Sequence, residues 1–161
     1  MVEIAEIRGL VRFVLRGAGP FAVPMPVRPL QSLPVEGGDA LWLGPDEWLI
    51  LVGESHAAAL AEAIARTETP YALVDVTHRQ IALRLTGADA EPLLNGGVPL
   101  DLSLRTFPIG GCTRTLFEKA EIVLWRRAAH EWRLDVGRSF APYVRDMLAA
   151  IAKADGLALS A

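Results

Sequence analysis

Cysteine, histidine and lysine are scarce in this sequence of 161 residues, which holds one, three and two of them, respectively. A single thiol, Cys112, excludes an intramolecular disulfide and a zinc site built from cysteines. The histidines, His56, His78 and His130, each lack a second histidine or cysteine at the spacing of metal ligands. We therefore expect no metal site, and we expect Cys112 to be a small buried apolar residue.

Clusters of basic charge and long apolar runs are also absent. The net charge is −3 and the basic residues are scattered, which argues against binding to nucleic acid or to an anionic membrane. The longest purely apolar run, Trp48 to Val52, is far shorter than the roughly 20 residues that a membrane span requires. Glu3 and Glu6 precede the first basic residue, so we expect no signal peptide. Together these features predict a cytoplasmic protein.

Motifs for nucleotide binding and for hydrolysis are missing too. Gly96-Gly97 and Gly110-Gly111 match neither the dinucleotide fingerprint nor the phosphate-binding loop, because both motifs need a fixed glycine spacing at a strand-to-helix junction. There is no Gly-x-Ser-x-Gly elbow, and Cys112 is remote in sequence from the polar residues near His78. The sequence therefore proposes no hydrolytic triad.

Prolines are concentrated in one part of the chain, where five of the eleven lie between Gly17 and Gly38. Proline has no backbone N–H to donate, so this spacing excludes a helix and most strand pairing. The segment 17–38 is predicted to be an extended connection that lies on the surface or against a partner. Phe21, Leu30 and Leu33 would be its apolar anchors.

Two segments share the order strand, turn, strand and helix. In the first segment these elements are predicted over 41–43, 44–47, 48–52 and from Ser55 to about Arg66, with Ser55 as the helix cap. In the second they are predicted over 122–126, 127–131, 132–136 and from Ser139, which caps the helix. The second helix carries an apolar stripe made of Phe140, Val144, Met147, Leu148 and Ile151.

The two segments also align residue by residue. With a shift of 84 residues, six of the eleven positions from 47 to 57 are identical. This match indicates an internal duplication of a β-hairpin followed by a helix. It predicts an α+β fold in which the two halves form one intertwined domain over residues 1–161.

Other elements are predicted around and between the two segments. Val11, Phe13 and Leu15 alternate with arginines and predict a half-buried strand. A strand over 81–85 is followed by a short helix, in which Asp89 is the N-cap, Pro92 lies in the first turn and Asn95-Gly96-Gly97 forms the C-cap. The segments 99–102 and 107–111 are predicted loops.

The stretch VDVTHRQ, residues 74–80, contains the densest polar chemistry in the chain. Its apolar residues fall on even positions, as in Val74 and Val76, whereas those of the strand from Ile81 fall on odd positions. This change of phase predicts a bend between residues 77 and 80. One interpretation is an active site around Asp75, His78 and Arg79. The other, which we favour, is a structural junction in which Asp75 and Arg79 satisfy the backbone or each other and His78 is dispensable.

All four tryptophans, Trp42, Trp48, Trp125 and Trp132, lie on the predicted hairpins. Trp132 shares a face with Leu134 and Val136. Packing in the core explains most of the tryptophans, but it leaves room for one or two at a partner interface, where tryptophan is enriched.

The segment VDVTHRQIALRLTGADAEPLLNGGVPLDL resembles the strand, Gly-x-Asp-Ala turn and short helix of the folate-binding domain in the aminomethyltransferase (glycine-cleavage T protein) superfamily. More closely, residues from about 40 to 152 resemble the gamma subunit family of heterotetrameric sarcosine oxidase. The residues that carry this resemblance are Leu43-Gly44-Pro45-Asp46-Glu47-Trp48, Asp75-Val76-Thr77-His78-Arg79, Leu85-Thr86-Gly87-Ala88-Asp89-Ala90, Pro99-Leu100-Asp101-Leu102, Phe107-Pro108, Gly111-Cys112-Thr113-Arg114-Thr115 and Arg138-Ser139-Phe140-Ala141.

This resemblance implies a place in a four-subunit oxidoreductase. The enzyme oxidatively demethylates sarcosine to glycine, produces hydrogen peroxide and passes the one-carbon unit to tetrahydrofolate. The alpha, beta and delta subunits would be the partners of this chain. FAD, FMN, NAD, tetrahydrofolate and zinc would be bound by those other subunits, so the resemblance implies no cofactor in this chain.

The sequence departs from aminomethyltransferases at one informative place. Where those enzymes carry a glycine-rich segment leading to a catalytic aspartate, this chain has Glu118-Lys119-Ala120-Glu121. We therefore expect a non-catalytic structural subunit with no catalytic, cofactor-binding or metal-binding residues. Two alternatives remain, namely a stand-alone folate-binding protein of the same fold and an unrelated enzyme built around Asp75, His78 and Arg79.

Overall fold

A computed structural model describes residues 1–160 and divides them into two compact units. The first unit is Arg8–Thr77, and the second is Met1–Ile7 together with the chain from His78 onward. In chain order the elements are β1 (Val2–Ile7), β2 (Leu10–Gly17), β3 (Ser32–Val35), β4 (Gly38–Gly44), β5 (Glu47–Gly53), α1 (Glu54–Ile64), β6 (Tyr71–Asp75), β7 (Gln80–Thr86), α2 (Ala90–Asn95), β8 (Cys112–Phe117), β9 (Ala120–Ala128), β10 (Glu131–Gly137), a 3-10 turn (Arg138–Phe140), α3 (Ala141–Ala154) and β11 (Leu159–Ser160). The prediction of one domain over 1–161 stays a prediction.

The first unit is an antiparallel sheet with the strand order β3-β4-β5-β2-β6 and one helix. Alternate residues of β2 and β5, such as Phe13, Leu15 and Ile50, form a core cluster with Leu60 and Ile64 of α1. The side chains alternate between the two faces of each strand, so one face of the sheet is covered by the helix. The predicted strands and helix of this unit are confirmed.

The proline-rich segment is only partly the unpaired connection that was predicted. Its last residues, Ser32–Val35, pair with β4 at the edge of the sheet, where Pro34 is tolerated because an edge strand has one unpaired side. The rest of the segment packs on the core of its own unit. Phe21 contacts Trp48 edge to face at 5.1 Å between ring centroids, and the indole N–H of Trp48 donates to the Pro26 carbonyl at 2.7 Å.

The second unit is a sheet with the order β11-β1-β7-β10-β9-β8, antiparallel except for the β1–β11 pair. The chain's first strand thus lies between β11 and β7, which come much later in the chain. The helices α2 and α3 contact each other. The apolar side chains of β10, those of Trp132, Leu134 and Val136, are fully buried, as the alternation in the sequence predicts.

The predicted caps of the two long helices are wrong. Ser55 lies inside α1, whose N-cap is Gly53, and Ser139 lies in the 3-10 turn before α3, whose N-cap is Phe140. None of these caps is a side-chain hydrogen bond. Phe140 lies before α3 and is half exposed. Val144 and Leu148 of the predicted stripe are buried, together with Ala141 and Ala152.

The short helix α2 begins where it was predicted. Asp89 occupies its N-cap position, but the carboxylate contacts the amino group of Met1 and caps no backbone N–H of the helix. Pro92 lies near its start and Gly96 is its C-cap residue.

The repeated order of hairpin and helix is present in both units. β4, β5 and α1 belong to the first, and β9, β10 and α3 belong to the second. The strands β5 and β10 begin and end at positions related by the predicted shift of 84 residues, and their five central residues are buried in both cases. This correspondence supports the inferred duplication.

The predicted bend around residue 78 is real, but the reason given for it is wrong. The chain leaves β6 in the five-stranded sheet and enters β7 in the six-stranded sheet through residues 76–79. In β6, however, Tyr71 and Leu73 pack against the core cluster, whereas Val74 is 53% exposed. The buried face of β6 is therefore the odd one, and no change of phase causes the bend.

Candidate interaction surface

The polar stretch at the bend holds the backbone in place. The carboxylate of Asp75 accepts hydrogen bonds from the backbone N–H of Thr77 at 2.8 Å and from its hydroxyl at 2.5 Å. The hydroxyl of Thr77 in turn accepts one from the backbone N–H of Arg12 at 3.1 Å. An aspartate that bonds the residue two positions ahead stabilises a turn. The prediction that Asp75 satisfies the backbone is confirmed.

His78 and Arg79 contribute their backbone carbonyls to this junction. The carbonyl of His78 accepts a hydrogen bond from Nε of Arg138 at 3.1 Å, and the carbonyl of Arg79 accepts one from the backbone N–H of Arg138 at 3.0 Å. Both side chains are exposed. These two backbone contacts tie the bend to the turn that precedes α3. The structural interpretation of the stretch is the one that the contacts support.

The remaining candidate residues from the sequence are two histidines and the cysteine. His56 and His130 are exposed, and Cys112 is fully buried, as predicted, and forms no disulfide within the described residues. Within residues 1–160, no three His, Cys, Asp or Glu side chains are close enough to hold a metal ion. No helix in that range is long and apolar enough to cross a membrane.

A cavity of about 370 Å³ lies between the proline-rich segment and the β4–β5 hairpin of the first unit. Its walls include the aromatic residues Phe21, Trp42 and Trp48. Among the described residues that line it, none carries a charge. The indole N–H of Trp48 is bonded to the carbonyl of Pro26, and the described lining offers no charged side chain to a folate carboxylate.

The loop between α2 and β8, residues 98–111, is organised by one buried arginine. Arg126 on β9 donates from Nη1 to the carbonyls of Leu102 at 2.7 Å and Phe107 at 3.1 Å. From Nη2 it donates to the carboxylate of Glu91 at 2.6 Å and to the carbonyl of Ala129 at 2.9 Å. Four hydrogen bonds from one guanidinium group thus tie the loop to α2 and to the β9–β10 hairpin.

The guanidinium group of Arg126 is only 1% exposed. Its central carbon lies 4.5 Å from the centroid of the Trp132 ring, which favours a cation through its negative face. Trp132 also contacts Phe107 at 5.5 Å between ring centroids. The loop is therefore packed against the core of the second unit as well as hydrogen-bonded to it.

A second set of hydrogen bonds orders the loop from within. The carboxylate of Asp101 accepts bonds from the backbone N–H of Ser103 at 2.9 Å and from the hydroxyl of Thr106 at 2.8 Å. These bonds favour the charged carboxylate, so they lower the pKa of Asp101 below its ordinary value of 3.8.

We expect the carboxyl carbon of Asp101 to titrate below pH 3.8 in a ¹³C NMR experiment, and Thr106→Val to raise that midpoint because one bond to the charged form is lost. A depressed pKa in the folded state means that the stabilisation is present above the unfolded-state pKa and is lost as the pH falls through the folded-state pKa. A midpoint at or above 3.8 in the unsubstituted chain would contradict this arrangement. Thr69→Val serves as the control, since its hydroxyl bonds to Pro20 in the other unit.

Large apolar side chains are exposed on this ordered loop and on the strand that follows it. Leu100, Leu104 and Ile109 are 40%, 51% and 57% exposed, and Leu116 on β8 is 46% exposed. β8 is the last strand of its sheet, and no strand of the described chain pairs with its outer edge. Exposed aliphatic side chains on a fixed backbone and an open strand edge are both features of surfaces that bind other proteins. We call residues 98–117 the apolar segment.

Sequence reasoning did not single out the apolar segment or Arg126. The loops at 99–102 and 107–111 were predicted, but not the exposure of their leucines and isoleucine. A signal for Arg126 was present, because it directly follows the buried run Ile122 to Trp125 on a strand. A charge at the end of such a run is either at the surface or paired in the core, and only the structure distinguishes the two.

Comparisons with known proteins agree on one family. A model of the sarcosine oxidase, gamma subunit family matches residues 22–154. A sarcosine oxidase subunit gamma from Corynebacterium sp. (strain P-1) is 30% identical over 109 residues, covering 68% of this chain and 54% of that protein. A subunit of the same name from Arthrobacter sp. is 31% identical over 97 residues, covering 60% and 48%. The chain spans about half the length of the curated relatives it matches.

Solved structures extend the comparison to the fold. A chain of the heterotetrameric sarcosine oxidase from Corynebacterium sp. U-96, in complex with pyrrole 2-carboxylate, superposes with a TM-score of 0.85 and 25% identity, covering 99% of this chain and 88% of that one. The glycine cleavage system aminomethyltransferase T from Bartonella henselae superposes with a TM-score of 0.69 and 14% identity, covering 98% and 47%. The predicted α+β fold of the aminomethyltransferase type is confirmed, as is the resemblance read from the sequence.

Proposed function

Because the chain belongs to the sarcosine oxidase gamma subunit family, we propose that it is a non-catalytic subunit that holds the larger chains of a sarcosine oxidase together. The partners in this proposal are the alpha, beta and delta subunits. The assembled oxidoreductase would demethylate sarcosine to glycine, produce hydrogen peroxide and transfer the one-carbon unit to tetrahydrofolate. FAD, FMN, NAD, tetrahydrofolate and zinc would be bound by the other subunits, in the cytoplasm.

The observation that carries this proposal is the apolar segment. Large contiguous apolar patches mark surfaces that bind other proteins, and four exposed aliphatic side chains lie within residues 98–117. Here the stretch is held by the guanidinium group of Arg126 and by the carboxylate of Asp101, so its shape exists before any partner binds. A surface that is ordered in advance loses little conformational entropy on binding, which favours a stable assembly.

The chemistry of the described residues supports an assembly role over a catalytic one. The polar residues at the bend, Asp75, His78 and Arg79, engage the backbone through Asp75 and through two carbonyls. The apolar cavity in the first unit has no charged lining for a folate. The stand-alone folate-binding alternative therefore has the fold in its favour, but this cavity does not support it.

The proposal is tested by expressing the chain with an affinity tag together with the neighbouring reading frames. We expect the purified material to contain larger subunits and to absorb light as a flavoprotein does. The same chain purified alone should bind no tetrahydrofolate in calorimetry. Purification of a colourless single chain that binds tetrahydrofolate with micromolar affinity would contradict the proposal and support the folate-binding alternative.

A further inference from the structure

Three arginines lie on one face of the second unit's sheet. The strand register places Ala5 opposite Arg84, Arg84 opposite Arg133, and Arg133 opposite Trp125. Directly paired residues point to the same face of a sheet, so this row continues from β1 to β9 on one side. Arg127 stacks over the Trp125 ring at 5.0 Å and therefore belongs to the same face.

One of these cations has no partner. Arg133 is fully engaged, because its Nε and Nη2 bond both carboxylate oxygens of the buried Asp135 at 2.6 and 3.0 Å. The guanidinium group of Arg127 lies 3.6 Å from the carboxylate of Glu131. Within the described chain, the guanidinium group of Arg84 has no hydrogen-bond or ion-pair partner. Arg84 is therefore the arginine of this face whose guanidinium group is left to bind a ligand.

Arg84 and Arg127 line a common cavity of about 270 Å³ with Ala5, Glu6 and Ile7. Glu6 does not neutralise this cavity, because it pairs with Leu83 on the opposite face of the sheet, and there its carboxylate binds Arg145 at 2.9 Å. Glu3, on the same face as Ala5, makes no ion pair with either arginine in the described structure. The cavity therefore presents two guanidinium groups to a space the size of a small ligand.

We propose that this cavity, which we call the arginine cavity, is a binding site for an oxyanion, namely a carboxylate or a phosphate. The planar fork of a guanidinium group matches the two oxygens of such a ligand. Arg84 supplies a guanidinium group that has no other partner within the described residues. Arg127, oriented by the Trp125 ring and by Glu131, supplies a second positive charge. The cavity has room for a small ion or for one acidic group. This proposed site is independent of the apolar segment.

Isothermal titration of the full-length chain with inorganic phosphate and, separately, with acetate tests the proposal at constant ionic strength. We expect saturable binding of at least one of them with a Kd on the order of 1 mM. Arg84→Gln should weaken it at least about 10-fold, since a charge-assisted hydrogen bond is lost. Arg79→Gln, which removes an exposed arginine elsewhere in the second unit, should leave the Kd unchanged.

Thermal unfolding provides a second readout. At ten times the Kd, the bound anion should raise the Tm of the unsubstituted chain by about 3–6 °C and that of Arg84→Gln by much less. Without added anion, Arg84→Gln should unfold at about the same temperature as the unsubstituted chain, because the side chain of Arg84 is exposed and has no partner within the described residues. Absence of saturable binding of both anions, or equal binding by Arg84→Gln, would overturn the proposal.

Discussion

Arg126→Leu is expected to lower the free energy of unfolding by about 3–5 kcal/mol, the usual cost of removing one partner from a buried charge pair. The side chain of Arg126 is 1% exposed and satisfies three backbone carbonyls and the carboxylate of Glu91. Leucine can fill part of the volume, but it leaves those acceptors without a donor. For a chain of this length, the loss corresponds to a fall of roughly 6–20 °C in Tm.

The neighbouring arginine provides a matched control for this substitution. Arg127→Leu removes the same charge one residue later, but its side chain is 43% exposed and its pair with Glu131 is long. Exposed pairs contribute about 0–1 kcal/mol, so this variant should unfold close to the unsubstituted chain. Arg126→Lys keeps the charge without the planar fork and should lie between the two. Equal stability of the two leucine variants in urea titration would show that Arg126 does not organise the loop.

A double substitution in the apolar segment, Leu104→Asp with Ile109→Asp, is expected to prevent assembly without unfolding the chain. Both side chains are more than half exposed, so the substitutions leave the core intact. If the segment is the interface, each position buries a charge against the partner. Truncation of a single hot spot already costs about 2 kcal/mol or more, which is roughly a 30-fold loss of affinity. The amount of flavin-containing protein that copurifies with the tagged chain measures this loss.

The control for the double variant lies in the other unit. Val27 is 77% exposed on the proline-rich segment, so Val27→Asp introduces the same charge at an exposed apolar position away from residues 98–117. We expect this variant to copurify normally. If the double variant also copurified normally, with an unchanged circular dichroism spectrum, the apolar segment would not be the interface.

The repeated hairpins could be predicted from the sequence because their signals are local. Alternation of Trp132, Leu134 and Val136 with charged residues needs only the period of a strand, and Pro45-Asp46 needs only the geometry of a turn. The alignment with a shift of 84 residues then predicted that the two hairpins have the same elements, and the bounds of β5 and β10 agree with it.

The helix caps could not be predicted, because they depend on contacts rather than on spacing. Ser55 and Ser139 are good capping residues, yet the helices begin elsewhere and neither serine caps one. The prediction of which face of β6 is buried was wrong for a related reason. Val74 looks like a core residue in the sequence, but Tyr71 and Leu73 contact the core cluster instead.

The candidate functional residues also divide into those that local sequence signals can predict and those that depend on tertiary contacts. The sequence could place His78 and Arg79 at a bend, although the change of phase on which that prediction rested is not its cause. It could not show that Arg126 reaches the carbonyls of Leu102 and Phe107, which are 24 and 19 residues away. Contacts over such separations depend on the tertiary fold, so a surface built on them is visible only in three dimensions.

The central claim is that this chain holds a larger enzyme together, and an omission experiment tests it most directly. The neighbouring subunits would be produced without the chain, and native mass spectrometry would measure the assembly before and after the purified chain is added. We predict separate or incomplete assemblies before addition and one four-subunit mass afterwards, with no such mass after addition of the Leu104→Asp, Ile109→Asp variant. Formation of a complete, sarcosine-oxidising assembly from the other subunits alone would contradict the claim.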